Sequence, residues 1–155
     1  LHFYTVNTAK LSENVWKEAE KMLEQIQKYP QKEEYQKLVE ADRINLYERE
    51  AEKGDDRKFL EETDRVFKEN LKGDSAWKLY ERKLVYLESK QPDISREFER
   101  FLKKYPKVMD AYVEYSIYLC RNNKMTQAQR VYREGRKQTG MTSKRAEELR
   151  RKLGL

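Results

Sequence analysis

Few side chains in this sequence could do covalent or acid–base chemistry. His2 is the single histidine and stands in the leading arm, where chain ends are commonly unstructured, so it reads as inert. Cys120 is the single cysteine, which rules out a disulfide within the chain. It follows Leu119 in a segment of buried helical character and reads as a small core thiol. Reactivity needs an electropositive, partly exposed site, and the neighbouring Arg121 is the one feature pointing that way. Glu33–Glu34 and Glu61–Glu62 are paired carboxylates. With 40% of residues charged, such pairs read as solvated helix faces. Gly54–Asp55–Asp56 is acidic but lacks the ligand spacing of a calcium loop. There is no Cys/His cluster, glycine-rich phosphate loop or Gly-x-Ser-x-Gly string. The sequence therefore predicts no catalytic residue, no metal and no cofactor, and a chain that acts by binding.

Binding chemistry is better supplied. The 155 residues include 11 Tyr, 5 Phe and 2 Trp, enough aromatic area to offset chain entropy although only 37% of residues are hydrophobic. Tyr112, Tyr115, Tyr118 and Tyr132 could stack nucleobases. The spacing of three in the first three is helical, however, and core packing is the expected role. Net charge is +6 and unevenly spread. Arg121 to Leu155 holds 11 Lys/Arg against 3 Asp/Glu, while the rest has 23 basic and 25 acidic residues. Such a block attracts nucleic acid or an acidic partner, or is a solvated face. The candidate interaction surface comprises Arg130, Arg133, Arg136 and Lys137, followed by Lys144, Arg145, Arg150, Arg151 and Lys152.

These groups must be positioned by helices. Pro30, Gly54, Gly73, Pro92, Pro106, Gly140 and Gly154 cut the chain into pieces of helical length. Ser12 caps a helix to about Lys28, with Trp16, Ala19, Leu23 and Ile26 on one face. A long helix, about Lys32 to Lys53, carries Tyr35, Leu38, Val39, Leu46 and Tyr47. Asp55 starts a helix to about Leu71 with Phe59, Leu60, Val66 and Phe67 inward. Asp74 or Ser75 caps the next, to about Ser89, with Trp77, Tyr80, Leu84 and Leu87 inward. Further helices are expected over Asp93–Lys104, Val108–Arg121, Thr126–Gln138 and Thr142–Leu153. Thr142 lacks a capping-box partner, because Arg145 stands three residues on. Leu149 and Leu153, at i and i+4, suit either a capping helix or an element docking a partner; the cap is the expected role. No alternating strand pattern stands out, and no apolar run approaches the ~20 residues that span a bilayer. Because it opens at Leu1 rather than Met, the sequence is expected to be a fragment.

The helices repeat. Ala76, Trp77 and Tyr80 return 35 residues later as Ala111, Tyr112 and Tyr115. Arg65–Val66–Phe67, Arg96–Glu97–Phe98 and Arg130–Val131–Tyr132 follow at offsets of 31 and 34. Lys28–Tyr29–Pro30 returns as Lys104–Tyr105–Pro106. A two-helix unit cannot bury its apolar face alone, so such units stack. The expected anchors are Trp77, Tyr80, Phe98, Pro106, Tyr112, Tyr115 and Tyr132.

An aromatic pair in the first helix, an Arg-x-aromatic-x-Arg/Glu string in the second and a terminal proline resemble half-a-tetratricopeptide (HAT) repeats. Trp77, Tyr80, Glu81, Arg96, Phe98, Arg100 and Pro106 carry the best unit. Tyr112, Tyr115, Arg130, Tyr132, Arg133 and Glu134 carry the next, with Gly140 where the proline would stand. Arg65 and Phe67 mark another second helix, with Gly73 for proline; its first helix matches poorly, with Tyr35 or Tyr47 as candidate anchors. The likeness spans roughly Tyr35 to Gly140, and ordinary tetratricopeptide units are close cousins.

The resemblance implies an all-α fold, a right-handed α-α superhelix of helical hairpins. The expected layout is an arm over 1–11, repeats over 12–140 and a basic capping helix over 141–155. It implies a protein–protein scaffold in pre-mRNA splicing, 3′-end processing or pre-rRNA processing. Its partners would be proteins of a ribonucleoprotein assembly, with RNA contact or a homodimer as further options and no membrane. Its location would be nuclear or nucleolar, with the cytoplasm open. Two alternatives stand beside this: direct RNA binding by the basic C-terminal third, and a tetratricopeptide-like adaptor gripping a peptide. Asn122, Asn123 and Lys124 crowd into one turn, which counts against the latter.

Overall fold

The computed structural model describes residues 13–26, 28–29, 33–69 and 71–155, and for 33–37 the backbone only. The leading arm with His2, the Ser12 cap, Pro30 and the side chains of Glu33, Glu34 and Tyr35 lie outside the described residues. The described residues form eight helices and no strand, so the fold is all-α. They are α1 Glu13–Ile26, α2 Glu33–Glu52, α3 Arg57–Lys68, α4 Gly73–Glu88, α5 Ser95–Lys104, α6 Met109–Arg121, α7 Met125–Thr139 and α8 Lys144–Lys152. None is long and apolar enough to cross a membrane. The chain divides into two compact units between Val66 and Phe67.

In the first unit, Trp16, Ala19 and Leu23 fall on one stripe of α1 and pack with Leu46 and Val39 of α2. The Arg49 guanidinium lies 4.3 Å from the centre of the Trp16 ring, a cation–π contact on the core's edge. Buried Glu62 accepts from Arg43 at 2.9 Å and Arg65 at 2.8 Å, and Arg65 also reaches Glu40 at 3.3 Å. The apolar positions read along α2 are not all inward. Leu38 is 44% exposed, whereas Ile44 and Ala51 are fully buried. Val39, Asp42 and Leu46 share the inward stripe at i, i+3 and i+7, and Leu38 falls off it. Buried Asp42 interrupts that stripe with a polar residue, so apolar periodicity alone misplaces it.

The second unit has an aromatic core. Each helix from α4 to α6 packs on the next, and α8 packs on α6. Trp77, Tyr80, Leu84 and Leu87 of α4 are buried, as expected. The caps differ from expectation. Lys72 is the N-cap of α4 and makes no side-chain cap, while Asp74 and Ser75 lie inside the first turn; there Asp74 still complements the helix dipole. Ser143, not Thr142, caps α8, accepting from the Ala146 amide at 3.1 Å. Gly140 ends α7 in the left-handed region at φ 69°, the usual role of glycine there.

Asn123 is also left-handed, at φ 58°, a conformation asparagine tolerates better than most residues. Beside it, Asn122 donates its side-chain amide to the Tyr118 carbonyl at 2.9 Å. The asparagines thus close α6. Gly135 has a different task. A Cβ there would sit 2.6 Å from Tyr112 Cβ, so its hydrogen lets α7 lie directly on α6.

Candidate interaction surface

The aromatic anchors are interior groups. Trp77, Tyr80, Phe98, Tyr112, Tyr115 and Tyr132 are all buried, while Pro106 is exposed in the turn after α5. Tyr80 donates to Glu97 at 2.6 Å and Tyr115 to Glu99 at 3.2 Å. Tyr132 donates to the Ala146 carbonyl at 3.0 Å, tying α7 to α8. Tyr118 accepts from the Ile94 amide at 3.0 Å. These rings are packed in the core, and Tyr112 and Tyr115 also line a groove there.

Lys83 was not foreseen. It is buried on α4, and its ammonium donates to Glu97 at 2.8 Å. Burial pushes the Glu97 carboxyl up, but the hydrogen bonds from Lys83 and Tyr80, with the charges of Lys83 and Arg100, hold it below its ordinary value. The visible signal was its position: Lys83 stands three residues after Tyr80 on the inward stripe. On α5, Lys104 donates to the carbonyls of Phe67 and, at 3.1 Å, Glu69, a cation at the end of α3 where the dipole favours one.

The nine basic candidates do not share one face. Arg130 lines a groove of about 580 Å³ between α5 and α7, floored by Tyr112, Tyr115 and Leu119 of α6. Arg133, Arg136 and Lys137 are exposed on α7, and Lys144, Arg145, Arg151 and Lys152 on α8; Arg150 is half-buried. Arg150 pairs with Glu147 at 2.7 Å and donates to the Leu155 carbonyl at 2.5 Å. The Arg150 hydrogen bond holds the Glu147 carboxyl below its ordinary value, with Arg151 and Arg136 adding. Arg150 touches Glu147 directly, while Arg151 and Arg136 act on it through their charge. Arg145 turns the other way, to Glu114 of α6.

A second groove, about 340 Å³, lies between α6 and α8. Ile117, Cys120, Met125 and Leu149 give it apolar walls; Arg121, Arg145, Lys152 and Glu148 are its charged lining. Cys120 is thus a half-buried groove residue rather than a core thiol. Burial raises its pKa, and Lys152 opposes the rise. Sequence reading misses this groove because its walls come from helices about thirty residues apart, each apolar residue isolated among charges. Among the described residues, no group of three or more His, Cys, Asp or Glu is placed to hold a metal.

Comparison with protein-family models, with curated proteins and with solved structures finds no match to this chain.

Proposed function

We propose that the chain is a HAT-like repeat module, a right-handed stack of helical hairpins, that acts as a protein–protein scaffold in a nuclear RNA-processing assembly and not as an enzyme. One observation supports the repeat most directly. Phe67 packs on Tyr80 at 4.7 Å between ring centres, and Phe98 packs on Tyr115 at 4.8 Å. In both cases the second-helix aromatic of one unit meets the first-helix tyrosine of the next, as stacked hairpins require. The assignment to RNA processing follows from the motif resemblance. Crosslinking with mass spectrometry on the full-length protein in its own cells, with and without RNase, tests it. Partners retained after RNase treatment support the scaffold and identify the assembly; loss of every partner sinks it.

The exposed cations Arg133, Arg136, Lys137, Arg151 and Lys152 of α7 and α8 favour a second reading, direct RNA contact. Phosphate contacts release counterions, so that reading requires affinity to fall steeply as salt rises. Weak binding with a flat salt response excludes it.

A further inference from the structure

We propose that the groove between α6 and α8 docks a short partner segment bearing a bulky apolar side chain flanked by carboxylates. The inference rests on the scaffold reading and names the chemistry of one partner contact.

Three features select that occupant. The walls are apolar and accessible. Ile117 and Cys120 are half-buried and Met125 is 46% exposed, while buried Leu149 closes the α8 side. Methionine adapts its shape to a guest and is common at binding surfaces. The volume, about 340 Å³, is at the small end of ligand pockets and has room for a large side chain.

The charged lining sets the sign of the guest. Three cations, Arg121, Arg145 and Lys152, stand against one carboxylate, Glu148. Arg121 is held by Glu88 at 2.9 Å and Arg145 by Glu114, but both guanidinium side chains are 59% exposed. The Arg121–Glu88 pair is exposed on both sides, and such pairs are weak; Glu114 is only 19% exposed and holds Arg145 more firmly. Lys152 has no ion pair among the described residues, and its charge reaches the groove, since it acts on Cys120. An incoming carboxylate therefore meets Lys152 directly and can share Arg121, while Arg145 adds its charge from the groove wall. A basic segment would meet repulsion there.

The groove over Tyr112 and Tyr115 is larger but selects nothing by charge. Its Asp93 already holds Lys124 at 2.6 Å, Glu99 takes the Tyr115 hydroxyl, and Glu134 takes Gln138. Counted whole, its lining sets three carboxylates, Asp93, Glu99 and Glu134, against three cations, Lys103, Lys124 and Arg130.

The test pans a display library of short random linear peptides on the full chain, then measures the enriched peptides by fluorescence anisotropy. Enriched sequences should pair an apolar residue with Asp or Glu. Lys152→Glu and Met125→Glu should each weaken binding about tenfold, the scale of one lost charge-assisted or apolar contact. Lys78→Glu, exposed on α4 and not lining the groove, should leave it unchanged. Bound peptide should also slow maleimide labelling of Cys120, the chain's single thiol.

No enrichment, enrichment of neutral or basic peptides, affinity indifferent to both groove variants, or unaltered labelling each overturns the proposal. In cells the two readings separate cleanly. If RNase-resistant partners all persist in Lys152→Glu and Met125→Glu proteins, the scaffold stands and the groove falls. If RNase strips every partner from the wild type, the scaffold reading falls instead.

Discussion

Phe98 and Tyr115 stack face to face, 4.8 Å between centres and 9° between planes. The contact joins α5 to α6 and leaves the tyrosine hydroxyl free to donate to Glu99 on the same helix as Phe98. One residue type thus serves packing and polarity together, which is why tyrosine rather than phenylalanine suits this place. Burial drives the Tyr115 pKa to about 12, so the hydroxyl remains a donor throughout the physiological range.

Truncating either ring should be costly. Phe98→Ala, and likewise Trp77→Ala in the same core, should lower stability by about 3–5 kcal/mol in urea unfolding. A double-mutant cycle on Phe98 and Tyr115 should return a coupling of about 0.5–1.5 kcal/mol. A Trp77→Ala change under about half a kcal/mol is a surface-like value and would place the repeat register elsewhere.

Glu97 and Lys83 should behave asymmetrically. Glu97→Gln strips the partner from a lysine side chain only 5% exposed, and should cost about 3 kcal/mol. Lys83→Met should cost less, because Glu97 keeps the Tyr80 hydroxyl and has Arg100 at 3.7 Å. The folded-state pKa of Glu97 lies below its unfolded value. Its contribution is therefore complete above the ordinary glutamate value and disappears as pH falls through the lowered one. Acid titration of stability should show a drop below about pH 4.3 that is shallower in Glu97→Gln. Equal slopes would remove Glu97 from the account.

Gly135→Ala tests the close approach of α6 and α7. The new methyl would lie 2.6 Å from the Tyr112 Cβ, so overpacking should cost about 1–3 kcal/mol. An alanine tolerated there without loss would mean that the helices can separate freely.

Cys120 should be a slow nucleophile at neutral pH. Burial lifts its pKa, so maleimide labelling should lag a free thiol and accelerate above the ordinary thiol range. Lys152→Glu removes the opposing cation and should slow labelling further. Faster labelling in that variant would show that Lys152 shields the sulfur instead of polarising it.

Much of the fold was legible because glycine, proline and aromatic spacing are local signals. The α4 stripe of Trp77, Tyr80, Leu84 and Leu87 reads directly at helical period. What escaped depends on distant partners. Lys83 reads as a solvated cation until Glu97 is brought to it. Leu38 is exposed and Ile44 buried although both are apolar residues of one helix, because burial depends on what packs against each face of α2. Ser143 outcompetes Thr142 through an amide geometry invisible in composition. The basic candidates were visible as residues, but not their parting into an Arg150 paired with Glu147 and an Arg145–Lys152 groove wall.

Lys83 also carries a practical consequence. Amine-reactive reagents find most of the described lysines at the surface, but the Lys83 ammonium is enclosed and already hydrogen-bonded. Its acylation, like tryptic cleavage after it, requires α4 and α5 to part. Modified Lys83 in a peptide digest is therefore a built-in tamper seal, and crosslinks through it report denatured protein, not an assembled complex.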